Sequence, residues 1–127
     1  MKDRLYFMAA ASFEAARRLE GEPDRRARLH GHSFLARVRA ELPAGFAPFP
    51  GAEAETLTER LQGAVAPLDY ALLNESLPTP TDENIARWIQ ARLAMPSIVR
   101  ISVQSAGHQG VAVNWKDQIH CWRRFRF

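Results

Sequence analysis

Leu29-His30-Gly31-His32-Ser33-Phe34 holds the residues of this chain best suited to chemistry. Two histidines two positions apart, opening an alternating segment, project to the same face of a β-strand. Imidazoles placed that way can share one metal ion, and histidine is the commonest metal ligand. A catalytic zinc site generally takes three protein ligands and keeps a fourth position open. The segment offers two. His108, in Gly107-His108-Gln109-Gly110, and His120, near the C-terminus, are candidates for a displaced third ligand. The competing reading is a pair of strand histidines hydrogen-bonding in a polar cavity, with His108 and His120 solvated.

The elements that must position this pair follow from periodicity. Leu5 to Ala16 is apolar and small, and is expected to be a first strand. Glu20 to Arg28 is polar and broken by Gly21 and Pro23, so it is a loop. From Ser33 to Leu42, Phe34, Ala36, Val38, Ala40 and Leu42 alternate with Leu35, Arg37, Arg39 and Glu41, the period of a second strand. Pro43 to Gly51 is a connection. Ala54, Leu57, Leu61, Ala64 and Val65 form a helical stripe that Pro67 ends. Leu68 to Pro80 is irregular. Thr81 is a natural N-cap, with Asp82 and Glu83 in the first turn where the helix dipole favours negative charge. Ile85, Trp88, Ile89 and Leu93 make the buried stripe of this second helix, and Pro96 stops it. Ile98–Val103 and Val111–Trp115 are strands joined through the turn 107–110, and Ile119 to Phe127 alternates again. The order ββ-αα-ββ predicts an α+β domain, with an antiparallel sheet and both helices on one face.

Composition is that of an ordinary globular protein: 127 residues, 46% hydrophobic and 24% charged, which fits a single domain spanning 1–127. Seventeen basic against fourteen acidic residues give net +3, a mild basicity. The one cysteine, Cys121, excludes an internal disulfide framework and fits a reducing cytosol, so a cytoplasmic location is expected. The apolar start is too short for a membrane span and unlike a signal peptide.

Four segments together carry a family resemblance. They are Phe13-Glu14-Ala15-Ala16-x-x-Leu19, Leu29-His30-Gly31-His32-Ser33-Phe34, Leu68-Asp69-x-x-Leu72-x-Asn74, and Pro80-Thr81-x-Glu83-Asn84-x-Ala86-x-Trp88-Ile89. In this order and spacing they resemble the 6-pyruvoyl-tetrahydropterin synthase family, above all its bacterial branch, the 6-carboxytetrahydropterin synthase of queuosine biosynthesis. The resemblance implies the tunnelling fold: ββααββ subunits with a four-stranded antiparallel sheet and two helices on one face, joined three at a time into barrels that stack as hexamers. It also implies a pterin- or purine-like ligand bound between subunits.

Position by position, the resemblance keeps the scaffold and loses the working groups. The family's first zinc ligand, a His after Phe-x-Ala-Ala, is Arg17 here; the other two are His30 and His32. Its catalytic Cys is Arg26. Its Asp-His dyad is Asp69 followed by Tyr70, so Asp69 is at most vestigial and is otherwise a carboxylate held at a turn. Its pterin-clasping acid is Ser105. Arginine stays charged in proteins. A guanidinium ~4 Å from a divalent ion repels it by roughly 8 kcal/mol at an effective dielectric of 20. That is comparable with much of a structural zinc site's affinity of about 10–16 kcal/mol. Loss of a general base costs about 10²–10⁴ in rate.

The resulting expectation is a degenerate, non-catalytic family member serving as a structural or pterin-binding subunit, with zinc bound weakly if at all. Thr81, Ser105, Arg17 and Arg26 remain candidates for contact with substrate, the two arginines as an anion pocket. The alternative is an active synthase-like lyase with an altered metal site or substrate. Cys121 is a candidate replacement thiol, with a small packed side chain as the simpler reading. The partners expected are other copies of the chain, as a trimer or hexamer, or an intact paralogue. Phe34, Val38 and Val113 are expected to supply shared apolar surface. Arg124-Phe125-Arg126-Phe127 resembles the start of the family's first strand, so one reading makes the chain the first half of a tandem protein. Trp122 to Phe127 also mixes cations with aromatics as a small RNA-binding module would, but nucleic acid is not the expected partner.

Overall fold

The computed structural model describes residues 6–19, 30–41, 52–95, 97–106, 109–114 and 119–123. Strands β1 (Tyr6–Arg17) and β2 (His30–Glu41) form a long antiparallel pair that runs from Tyr6 opposite Glu41 to Arg17 opposite His30. The alternation that makes them strands also sorts their faces. Ala9, Ala11, Phe13, Ala15 and Arg17 of β1 are buried, as are Phe34, Ala36, Val38 and Ala40 of β2. Alanine at most of these positions lets helices approach the sheet closely. Phe13 and Phe34 are cross-strand partners whose rings stack with centroids 4.9 Å apart.

Helices α1 (Ala52–Val65) and α2 (Asp82–Leu93) cover that inner face. Helix α1 buries Leu57, Leu61, Ala64 and Val65; α2 buries Ile85, Ala86, Ile89 and Leu93. The N-cap of α2 is as expected: Thr81 Oγ1 accepts a hydrogen bond from the Asn84 N–H at 3.2 Å. Its end differs from expectation. Ala94 turns left-handed at φ 48° and closes the helix before Pro96, which lies outside the described residues. Trp88 is only partly buried, with the Arg92 guanidinium 4.8 Å over its ring.

The α+β class and the one-sided helices hold, but among the described residues the sheet has six strands rather than four, in the order β3-β1-β2-β4-β5-β6. Between the helices, residues expected to be irregular include a two-residue strand, β3 (Ala71–Leu72), parallel to the end of β1. At the other edge β4 (Ile98–Ala106), β5 (Gln109–Asn114) and β6 (Ile119–Arg123) continue the antiparallel ladder. Strand β2 begins three residues before the predicted Ser33, so the His-Gly-His segment is itself in the sheet. Gln109 and Gly110, expected in a turn, belong to β5. Phe34, Val38 and Val113 are not shared surface; they pack beneath the helices. Neither helix is long and apolar enough to cross a membrane.

The opposite, helix-free face of the sheet has one close approach that depends on glycine. A Cβ at Gly110 would come within 2.7 Å of the Trp122 ring and 2.8 Å of the Val103 carbonyl oxygen. Gly110→Val is therefore expected to destabilise the fold by about 1–3 kcal/mol through overpacking, read as a lower midpoint in urea unfolding.

Candidate functional site

Three of the residues singled out from the sequence meet at one end of the sheet. The register sets Arg17 opposite His30 and Ala15 opposite His32. His32 is half-buried, its ring edge-on to Phe34 at a centroid distance of 5.5 Å. Arg17 is 4% exposed, on the same inner face as Phe13. A charge buried there requires a matching charge or it would cost several kcal/mol.

Asp82 provides that match. Arg17 Nη1 donates to Asp82 Oδ1 at 2.7 Å and to the Pro80 carbonyl at 3.0 Å, while the guanidinium packs 5.2 Å from the Phe34 ring centre. The second oxygen of Asp82 accepts from Ser105 Oγ at 2.7 Å, and Ser105 Oγ accepts from Gln109 Nε2 at 3.1 Å. One polar chain, Arg17–Asp82–Ser105–Gln109, thus ties β1 to the first turn of α2 and to strands β4 and β5. The dipole of α2 further favours a carboxylate at Asp82.

A second group shapes the edge beside His32. Tyr70, left-handed at φ 55°, donates its N–H to the Glu14 carbonyl, while Asp69 Oδ1 accepts from the Glu14 N–H at 2.9 Å. Asp69 therefore completes a strand-like bracket around Glu14. Asn74 does the same for Arg18, accepting from its N–H at 2.8 Å and donating to its carbonyl at 2.9 Å. The Glu14 carboxylate accepts from Ser33 Oγ at 2.7 Å. These clamps frame an open cleft of about 530 Å³ lined by Glu14, His32, Ser33, Tyr70 and Leu72, with the Tyr70 side chain 86% exposed. That volume lies within the range of small-molecule sites.

The structure places the remaining candidate residues as follows. Arg17 Nη1 is engaged by Asp82 and the Pro80 carbonyl, while its buried Nε has no hydrogen-bond partner among the described residues. Ser105 faces a carboxylate instead of replacing one. Thr81 Oγ1 is committed to capping α2. His120 and Cys121 stand on β6, four places along the sheet from β1, or about 19 Å at the usual strand spacing, and neither joins the His30/His32 end. Cys121 is exposed rather than packed. Arg26 and His108 lie outside the described residues. Among the described residues no three His, Cys, Asp or Glu side chains are grouped closely enough to hold a metal ion. The residue missed from the sequence is Asp82. Its place in the first turn suggested only a dipole contact, and the signal for more is that Arg17, on an inward-facing strand position, must find a carboxylate.

Comparison with known proteins agrees with this architecture. The sequence profile of the 6-pyruvoyl tetrahydropterin synthase family matches residues 7–114. A dihydroneopterin monophosphate aldolase from Pyrococcus furiosus is 33% identical over 122 residues, covering 91% of this chain and all of the archaeal protein. Among solved structures, the Caenorhabditis elegans 6-pyruvoyl tetrahydropterin synthase superimposes with a TM-score of 0.63 at 18% identity, covering 97% of each chain. The Plasmodium vivax 6-pyruvoyl tetrahydropterin synthase gives 0.53 at 15% identity, covering 98% of this chain and 100% of the other. The six-stranded sheet with two helices on one face is thus the tunnelling fold. With a profile match over most of its length and a relative above 30% identity along its whole extent, the chain belongs to the 6-pyruvoyl tetrahydropterin synthase family.

Proposed function

We propose that this chain is a family member whose metal centre has given way to an internal ion pair, and that it serves pterin metabolism as a ligand-binding or structural subunit rather than as a synthase. The observation that carries this reading is the buried Arg17 guanidinium held at 2.7 Å from Asp82. Where the resemblance expects the third imidazole of a zinc site, the chain has a fixed cation with its own counter-ion. Two imidazoles do not complete a tight zinc site. With Asp82 screening Arg17, repulsion of a second cation is weaker than for a bare guanidinium, yet Asp82 cannot turn to a metal without abandoning Arg17.

The cleft beside His32 remains suited to a flat, polar heterocycle. The hydrogen-bonded Glu14 and Ser33 side chains line one wall with acceptor oxygens, and the exposed Tyr70 ring offers a face for stacking. The chain is also expected to self-associate as a trimer or hexamer, or to join an intact paralogue. Among the described residues β3 and β6 are the outermost strands of the sheet, where further strands can pair, and Met8 is 68% exposed on the helix-free face. Light scattering at micromolar concentration should therefore report a particle several times 14.3 kDa. A monodisperse monomer would count against this part of the reading.

A second reading has one specific observation in its favour. The similarity to an aldolase named for dihydroneopterin monophosphate points to an active enzyme acting on a phosphorylated dihydropterin. Incubating the purified chain with dihydroneopterin triphosphate and, separately, with the monophosphate decides between the two. No turnover of either is expected; product from either one, abolished by His32→Ala, would establish the active enzyme.

Two substitutions probe the ion pair. Asp82→Ala, which leaves Arg17 buried and uncompensated, is expected to destabilise the fold by about 3–5 kcal/mol in urea unfolding, whereas Arg17→Met with Asp82→Leu together should be much milder. Arg17→His removes the fixed charge and adds an imidazole opposite His30, next to a carboxylate set free. Calorimetric titration should show zinc binding tighter than in the parent; equal affinity would mean that position 17 does not face the histidine pair.

A further inference from the structure

The helix-free face of the sheet carries a second feature, separate from the cleft at His32. Arg37 and Arg39 alternate along β2 on this face, and Arg39 is the direct cross-strand partner of Arg100 on β4. All three side chains are exposed. At standard strand geometry their Cα atoms fall within about 8 Å of one another. Among the described residues none of the three has a carboxylate partner. Arg39 instead stacks on Tyr6 at 4.1 Å, and Glu41, next along the face, already has a partner. Like charges directly opposite one another across a ladder are destabilising, so this arrangement works against the unliganded sheet. The arginines line a cavity of about 440 Å³ whose remaining walls include Leu35, Ser102 and Trp122.

We propose that this cavity binds the phosphate chain of a small organic di- or triphosphate. The three guanidiniums present forked donors matched to phosphate oxygens. Strands fix their spacing, and Ser102 adds a neutral hydroxyl between them. The Trp122 indole, packed over Gly110, forms part of the far wall. The compactness of the arginine group favours a short polyphosphate over single-stranded nucleic acid, which is tracked along an extended groove with repeated stacking platforms. The inference does not depend on whether the chain is catalytic, because the cavity lies on the face of the sheet away from Arg17 and Asp82.

Calorimetry on the full chain with inorganic tripolyphosphate and with ADP, at low and moderate salt, tests it. Saturable binding of at least one is expected, weaker at the higher salt. Each of Arg39→Gln and Arg100→Gln should weaken it about 10-fold or more, as loss of a charge-assisted hydrogen bond implies. Tighter binding of ADP than of tripolyphosphate would assign the indole wall to the organic part; equal binding would confine the site to phosphate. Arg37→Gln gives an independent reading should either of the others fail to fold, and His32→Ala is expected to leave the affinity unchanged. No saturable binding, affinity indifferent to the arginines, or loss on His32→Ala would overturn the proposal. So would a short single-stranded RNA that binds and that tripolyphosphate does not displace.

Discussion

A buried guanidinium must be matched by a carboxylate, and in this chain the match between Arg17 and Asp82 organises the whole functional end of the molecule. Arg17 is on an inward-facing position of β1, so its charge cannot reach water without breaking the packing beneath the helices. Asp82 answers from the first turn of α2, fixing where that helix begins relative to the sheet. Ser105 and Gln109 extend the tie to β4 and β5. A salt bridge of this kind is weak evidence for net stability, since desolvation offsets much of the attraction. Its consequence is positional: the polar chain from Arg17 through Asp82 and Ser105 to Gln109 fixes how β1, α2, β4 and β5 sit against one another.

That tie divides this end of the sheet into an inner and an outer half. The inner half, where the resemblance expects a metal, holds the ion pair. The outer half, the cleft at Glu14, Ser33 and Tyr70, stays open and keeps polar groups along its walls. Asp69 and Asn74 hold this edge by pairing with backbone of the segment that carries Glu14 and Arg18, which explains why both are present in a chain that lacks the rest of the dyad. A ligand-binding or structural subunit needs the outer half and the edges, and does not need the inner half.

Much of the fold could be read from the residues. Strict alternation in β2, the three- and four-residue steps of Leu57, Leu61, Ile85 and Ile89, and the Thr81 cap report strong local preferences that the tertiary structure reinforces. Strand β3 could not be read, because two residues pair with β1 only once Asp69 and Tyr70 have bracketed Glu14. The sixth strand was visible only as an alternation whose pairing partner was undetermined. At the site, the loss of a third imidazole at Arg17 was plain, and so was the loss of the clasp at Ser105. That these two departures are joined through Asp82 was not, since 65 residues separate Arg17 from Asp82 and an inward-facing Arg17 calls for a carboxylate without naming which one.

The central claim is that position 17 has exchanged a metal ligand for an internal cation. Metal analysis of the purified, untagged chain after dialysis against zinc-containing buffer and then metal-free buffer addresses it directly. The account predicts zinc far below one equivalent per chain. One tightly retained zinc per chain, lost on His30→Ala or His32→Ala, would contradict it.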